Sequence, residues 1–128
     1  MTQKSEFLNV DLHVRSRRSL APLVAIWSSA QTPGLTSGRA PRWVLVSGLS
    51  YKRSFDHVLR QLIARVDSLP PKARRCWSQA TSRVFDIGIQ AGLAPRNFED
   101  VWLGADVIRD IARLKASILL TVYAPSRE

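Results

Sequence analysis

The sequence predicts an α+β fold with one four-stranded, mainly antiparallel sheet and helices on one face. Residues 6–15 and residues 84–91 alternate between apolar and polar side chains, which is the period of a strand with one buried side and one side in solvent. Residues 55–66 instead repeat apolar side chains at helical spacing. Because the polar sides of the strands would stay in water, the helices are expected to cover only the other side of the sheet.

The first half of the chain is predicted to form a strand, a short helix and a second strand. The first strand covers residues 6–15. Ser19 is placed to cap the helix, because its hydroxyl can accept hydrogen bonds from the free N–H groups of the first helical turn. The second strand is expected over residues 42–50, with the side chains of Trp43 and Leu45 pointing into the core.

Two helices are predicted between the second and third strands. Ser54 caps the longer one, which must end before Pro70 and Pro71 because proline has no backbone N–H and clashes with the preceding turn. The second is short and covers residues 72–80. The two together form a helical segment inserted between strands two and three.

The last part of the chain is predicted to form a strand, a helix and a closing strand. Phe85 and Ile87 lie on the buried side of the third strand. The last helix is expected over residues 105–116, with acidic residues near its start and basic residues at its end, as the helix dipole favours. The closing strand, residues 118–123, is apolar on both sides.

The resulting order, β-α-β-(α-α)-β-α-β, is close to the ferredoxin-like split βαβ plan with an inserted helical segment. A doubly wound parallel sheet is the alternative, and the half-polar strands disfavour it. Residues 1–128 are expected to form a single domain, with frayed ends at residues 1–5 and 125–128.

Composition excludes several classes of function. The chain has 128 residues, 45% of them hydrophobic, and no apolar run that could act as a secretory signal or cross a bilayer, which predicts a cytoplasmic protein without a membrane partner. One cysteine excludes an internal disulfide, and two histidines make a zinc site of ordinary composition unattainable. No nucleophile elbow, phosphate-binding loop or dinucleotide fingerprint occurs. The sequence therefore predicts a protein that is not an enzyme and needs no cofactor or metal.

The net charge of +9 is unevenly distributed. Residues 42–83 carry nine Lys or Arg against two Asp, whereas residues 84–128 carry five basic and six acidic side chains. Such a field attracts an acidic protein or a polyanion, although a solvated helix face has the same composition. The candidate binding residues are Arg53, Arg60, Lys72, Arg74, Arg75 and Trp77.

Two kinds of partner fit these residues. An acidic protein surface is favoured, because arginine and tryptophan are the commonest interface hot spots. The alternative is a nucleic acid bound by the basic helical insertion, residues 52–75, with Trp77 stacking on a base. The RNP aromatic motif of single-strand RNA readers is absent. Trp77 and Trp102 are expected at the surface, and Trp27 and Trp43 in the core.

A second candidate site lies on the open face of the sheet. Asp11 and His13 from the first strand, Asp86 from the third and Tyr123 from the fourth all point away from the predicted core. If these strands are neighbours, the four side chains converge, and His13 with Asp86 could serve an enzyme. Alternatively these are ordinary solvent-facing residues, and Tyr123 could equally belong to the core.

Four segments resemble the bacterial domain-of-unknown-function family 4279: FLNVDLHV, WVLVSGL, VFDIGIQAG and LGADVIRDIARLKASILLTVYAP. The resemblance spans most of the chain, with Gly104 standing where the family tends to have a capping serine. It implies a small cytoplasmic α/β protein, of a kind found in part at toxin–immunity loci, without catalytic residues. The resulting hypothesis is a non-enzymatic binding protein of bacterial or phage origin, an immunity protein or inhibitor that recognises an acidic protein surface.

Overall fold

The computed structural model of the chain describes residues 6–27, 41–48, 54–92 and 102–124. These form four strands and four helices, which confirms the predicted α+β class and the predicted order. In chain order the elements are β1 (Glu6–Arg15), α1 (Ala21–Trp27), β2 (Trp43–Gly48), α2 (Phe55–Asp67), α3 (Pro71–Gln79), β3 (Ser82–Gln90), α4 (Ala105–Arg113) and β4 (Ser117–Tyr123).

The strands form one sheet in the order β2-β1-β3-β4. β1 pairs antiparallel with both β2 and β3, whereas β4 pairs parallel with β3. Parallel neighbours need a crossover connection, and the chain between β3 and β4 contains α4. The sheet is therefore mainly antiparallel, as the sequence predicts, with one parallel pair at its β4 edge.

The strand order departs from the split βαβ plan, in which another strand separates the two strands that a helix joins. Here β1 and β2 are direct antiparallel neighbours. The N–H of Ser16 donates to the carbonyl of Arg42 at 2.8 Å, and that of Leu20 donates to Pro41 at 2.6 Å. These bonds bring the chain back into the sheet at the end where β1 leaves it, so β1 and β2 form a hairpin whose connection carries α1.

The core lies on one face of the sheet. β1, β2 and β3 direct alternate side chains into it, and the helices cover that face: α2 contacts β1 and β2, and α4 contacts β4. The alternation predicted for β1 and β3 is confirmed. The buried sheet residues are Val10, Leu12, Val14, Val44, Val46, Phe85 and Ile87, all at most 1% exposed.

The prediction that Trp43 and Leu45 point into the core is wrong. Val44 is fully buried instead, and Trp43 and Leu45 are only partly buried on the opposite face. The register explains this, because Val14 pairs with Val44 and Arg15 pairs with Trp43, and directly paired residues share a face. The guanidinium carbon of Arg15 accordingly lies 5.2 Å from the Trp43 ring centroid.

Helix ends follow local chemistry. The Ser54 side chain accepts from the N–H of His57 at 3.2 Å and begins α2 as predicted. α4 ends at Arg113, three residues before the predicted end at residue 116, because Lys115 adopts a left-handed backbone conformation with φ of 56°.

Both predicted frayed ends and Arg53 lie outside the described residues. None of the four described helices is long and apolar enough to span a membrane.

Candidate binding surfaces

Three of the predicted basic residues lie on the exposed side of α3. Lys72, Arg74 and Arg75 are exposed, and within the described ranges none forms an ion pair with a carboxylate. Arg74 instead donates to the backbone carbonyl of Asp67 at 2.5 Å, which directs its guanidinium toward the end of α2. These three cations are therefore available to an external anion.

Arg60 has a different environment. Its guanidinium binds the carboxylate of Asp56 at 2.9 Å and that of Asp106 at 2.8 Å. The hydrogen bonds that Arg60 donates to Asp106 and Asp56 raise the pKa of Arg60, and the one it donates to Asp106 lowers the pKa of that carboxyl. Arg60 thus links α2 to α4, and its charge is compensated within the fold.

Trp77 is 4% exposed, so the prediction that it stands at the surface and stacks on a base is wrong. Ala73 and Trp77, four residues apart, form the side of α3 that packs into the core. The indole N–H of Trp77 donates to the carbonyl of Leu114 at 3.1 Å, and its ring meets that of Trp27 edge to face. Trp102, by contrast, is 78% exposed, as expected for a surface residue.

A cleft of about 280 Å³ lies where α3, β3 and the end of α4 meet. Four cationic side chains line it, one each from α3, β3 and α4 and one from the connection between α4 and β4, and we call it the basic cleft. Its lining residues are Val66, Arg74, Trp77, Ser78, Arg83, Arg113, Leu114 and Lys115.

Arg83 is the most enclosed cation of the basic cleft. Its guanidinium donates to the carbonyls of Trp77 and Ala80, both at 2.8 Å, and to that of Lys115 at 3.0 Å. Burial lowers its pKa from the ordinary arginine value. Carbonyl oxygens satisfy the donors without neutralising the charge, and within the described ranges no carboxylate pairs with Arg83. Arg83 therefore gives the cleft a fixed positive charge that no carboxylate of the described residues pairs with.

Lys115 occupies a position where glycine is usual. The N–H of Ala116 bonds to the carbonyl of Ile111 at 3.1 Å and the N–H of Lys115 to that of Ala112 at 2.9 Å, which together form a Schellman motif at the end of α4. Lys115 holds the left-handed position of this motif, where its Cβ costs about 1–2 kcal/mol relative to glycine. The strained residue contributes an exposed ammonium group to the basic cleft.

Sequence reasoning missed Arg83, Arg113 and Lys115 as members of a site. They come from segments that only the packing of α4 against the sheet and α2 brings together, so no local motif could reveal them. The single local signal was the end of α4, where the chain has Leu114 and Lys115 in place of the usual glycine.

The structure brings the predicted open-face residues together because β1, β3 and β4 are neighbours. Asp11 and Asp86 are direct partners across β1 and β3. They line a cleft of about 220 Å³ with Asn9, Gly88 and Tyr123, and Tyr123 is half-exposed on this face rather than in the core. We call it the polar cleft.

The carboxylates of the polar cleft already accept hydrogen bonds from neighbouring side chains. Asn9 donates to Asp11 at 2.9 Å, and the Thr121 hydroxyl donates to Asp86 at 2.6 Å. His13 Nε2 lies 3.9 Å from Asp86 Oδ2, beyond hydrogen-bond distance, and its ring stacks on that of Trp43. No group of three or more potential metal ligands occurs in the described part of the chain.

No family model matches the chain, and no curated protein or solved structure is significantly similar to it. The resemblance to family 4279 therefore stays a prediction.

Proposed function

We propose that this protein is a non-enzymatic binding protein, of the immunity or inhibitor type, that holds an acidic protein surface against the basic cleft and the exposed side of α3. The observation that carries the proposal is Lys115. A left-handed lysine at a position that favours glycine costs stability, and such strain is concentrated at functional sites. The benefit of lysine here is its charge beside Arg74 and Arg83 in the cleft.

The chemistry of the cleft suits carboxylates. Arg74, Arg83 and Lys115 have no carboxylate partner within the described ranges, so an incoming Asp or Glu would form charge-assisted hydrogen bonds without displacing an internal ion pair. The cleft is open and slightly smaller than the usual small-molecule pocket of about 300–1,000 Å³. Side chains projecting from a protein surface match that size.

The burial of Trp77 disfavours the nucleic-acid alternative. Non-specific binding of single strands relies on exposed aromatic rings on which successive bases stack. The ring that lines the basic cleft is buried, and its indole N–H is already bonded to Leu114. Only electrostatic attraction is left to bind a nucleic acid at the basic cleft, and the same attraction would bind an acidic protein equally well.

Zero-length coupling of amines to carboxylates tests the proposal. Purified protein is incubated with nuclease-treated bacterial lysate, a carbodiimide joins lysine ammonium groups to partner carboxylates, and mass spectrometry locates the joined residues. We expect the links to involve Lys115 and Lys72, both exposed. The double variant Arg74→Glu with Lys115→Glu should lose the coupled partner.

The matched control is Arg17→Glu with Arg18→Glu, which reverses two exposed charges outside the cleft. It should keep the partner. Loss of coupling in both double variants, or links confined to lysines other than Lys72 and Lys115, would refute the proposed surface. Capture that occurs only when the nuclease treatment is omitted would support the alternative function instead.

A further inference from the structure

In the described part of the chain, β4 is an edge strand of the sheet and carries none of the usual protective residues. It pairs only with β3 among the described strands, and its seven residues, SILLTVY, include no charge, proline or glycine. On the side of the helices, Leu120 is 50% and Val122 62% exposed; on the open face, Leu119 is 49% and Tyr123 50% exposed. Edge strands are normally protected by charges, prolines, bulges or a covering element.

The apolar composition of β4 is typical of a strand that has a neighbouring strand on each side. A run that is apolar on both sides is typical of strands within a sheet, especially beside a parallel partner such as β3. A partner docked on one face of the sheet would cover either Leu120 and Val122 or Leu119 and Tyr123. Only a strand added at the edge reduces the exposure of both pairs together, and it also satisfies the outward backbone groups of β4.

We propose that β4 pairs antiparallel with β4 of a second copy of this chain, across a two-fold axis at Leu120. The two four-stranded sheets then form one continuous sheet of eight strands, within the size that twisted sheets reach. The two-fold axis stands perpendicular to the sheet, so the helices of both copies lie on the same side.

The sequence of β4 is self-complementary about Leu120. In this register Ile118 lies opposite Val122 and Leu119 opposite Thr121, and each pair shares a face of the sheet. β-Branched and aliphatic residues therefore meet on the side of the helices, and no charge faces a like charge along the strand.

Charge also favours a second copy at this edge. The chain carries +9 overall, which opposes self-association, but residues 84–128 carry five basic and six acidic side chains. Two copies joined through β4 therefore meet at the segment whose formal charges nearly cancel, and β4 itself brings no like charges together.

Cysteine cross-linking tests the register. In a Cys76→Ser background, Leu120→Cys places two thiols directly opposite each other, at a Cα separation of about 4.5–5.5 Å that a disulfide can bridge. We expect Leu120→Cys to form a covalent dimer under mild oxidation, and Val122→Cys, which lies opposite Ile118, to stay monomeric. Cross-linking of Val122→Cys in preference to Leu120→Cys would overturn the proposal.

The solution mass provides an independent test. Light scattering should give a mass that rises with concentration from 14.4 kDa to twice that value, and β4 amides should exchange more slowly in the dimer. Leu120→Lys places two ammonium groups at the axis and should restore the monomer mass, while Ile26→Lys, on exposed Ile26 of α1, should leave the dimer intact. A wild-type mass of 14.4 kDa at every concentration refutes the proposal.

Discussion

The guanidinium of Arg113 binds the carboxylate of Asp67 through two parallel hydrogen bonds of 2.9 and 3.0 Å, which joins the last residue of α4 to the last residue of α2. The hydrogen bonds to Asp67 raise the pKa of Arg113. Because Arg113 lines the basic cleft, Asp67 offsets part of the positive charge there, together with Asp110, whose carboxylate lies 3.4 Å from the same guanidinium. It therefore limits how strongly the cleft attracts anions.

Replacing Asp67 by asparagine should strengthen anion binding. Asp67→Asn leaves Arg113 without its bidentate partner and adds one positive charge at the cleft. We expect it to elute from immobilised heparin at higher salt than the wild type, and Arg74→Glu at lower salt. Asp56→Asn changes the net charge equally, but beside Arg60. An equal shift for Asp56→Asn and Asp67→Asn would mean that total charge, not the cleft, sets retention.

Trp77→Phe should destabilise the fold. The substitution removes the N–H donor to Leu114, whose carbonyl lies at the end of α4 without an intrahelical partner. A buried acceptor left unsatisfied costs about 1–3 kcal/mol of unfolding free energy, measurable by urea denaturation. Trp102→Phe, at a site 78% exposed, should stay within about 0.5 kcal/mol of the wild type. Equal stability of the two variants would contradict the structural role of Trp77.

Local periodicity predicted β1 and β3 correctly and failed for β2. In β1 the alternation of Leu12 and His13 identifies the buried side, whereas Trp43, Val44 and Leu45 are all apolar and give no such signal. The pairing of Val14 with Val44 decides the orientation, and that contact lies beyond the reach of a local pattern.

The candidate sites show the same division. The open-face residues Asp11 and Asp86 could be predicted because strand alternation assigns each to the polar side, and pairing of β1 with β3 brings them together. The basic cleft could not be predicted in this way, because Arg83 and Lys115 meet only through the packing of α4. Composition located the excess charge but not the ion pairs that neutralise Arg60.

The fold should become less stable at acid pH because Asp106 loses its charge. Arg60 lowers the pKa of this carboxyl in the folded state, so ionised Asp106 stabilises the fold above the unfolded-state pKa of about 4. The contribution is lost as the pH falls through the lower folded-state pKa. NMR titration of the carboxyl carbon should show its pKa rising toward the ordinary value in Arg60→Gln. An unchanged Asp106 pKa in that variant would contradict the assigned cause.

Thr121→Val should weaken the packing of β4 against β3. The hydroxyl of Thr121 donates to the Asp86 carboxylate at 2.6 Å, and valine has nearly the same shape without a donor. Hydrogen bonds to charged groups contribute about 1.5–3 kcal/mol, so urea denaturation should report a loss of that order. Thr81→Val is the matched control, because the exposed Thr81 hydroxyl donates only to the carbonyl of Arg15. A loss no larger than that of Thr81→Val would show that the carboxylate bond contributes little.

Lys115→Gly should separate stability from binding. Glycine adopts the left-handed conformation of this Schellman position freely, so relief of strain should raise the unfolding free energy by about 1 kcal/mol, while the basic cleft loses a cation. Lys115→Asn removes the same charge with a side chain that tolerates this conformation. Both variants should elute from heparin earlier than the wild type, and neither should be less stable. A stabilised Lys115→Gly variant that retains full affinity would show that the lysine is not kept for its charge.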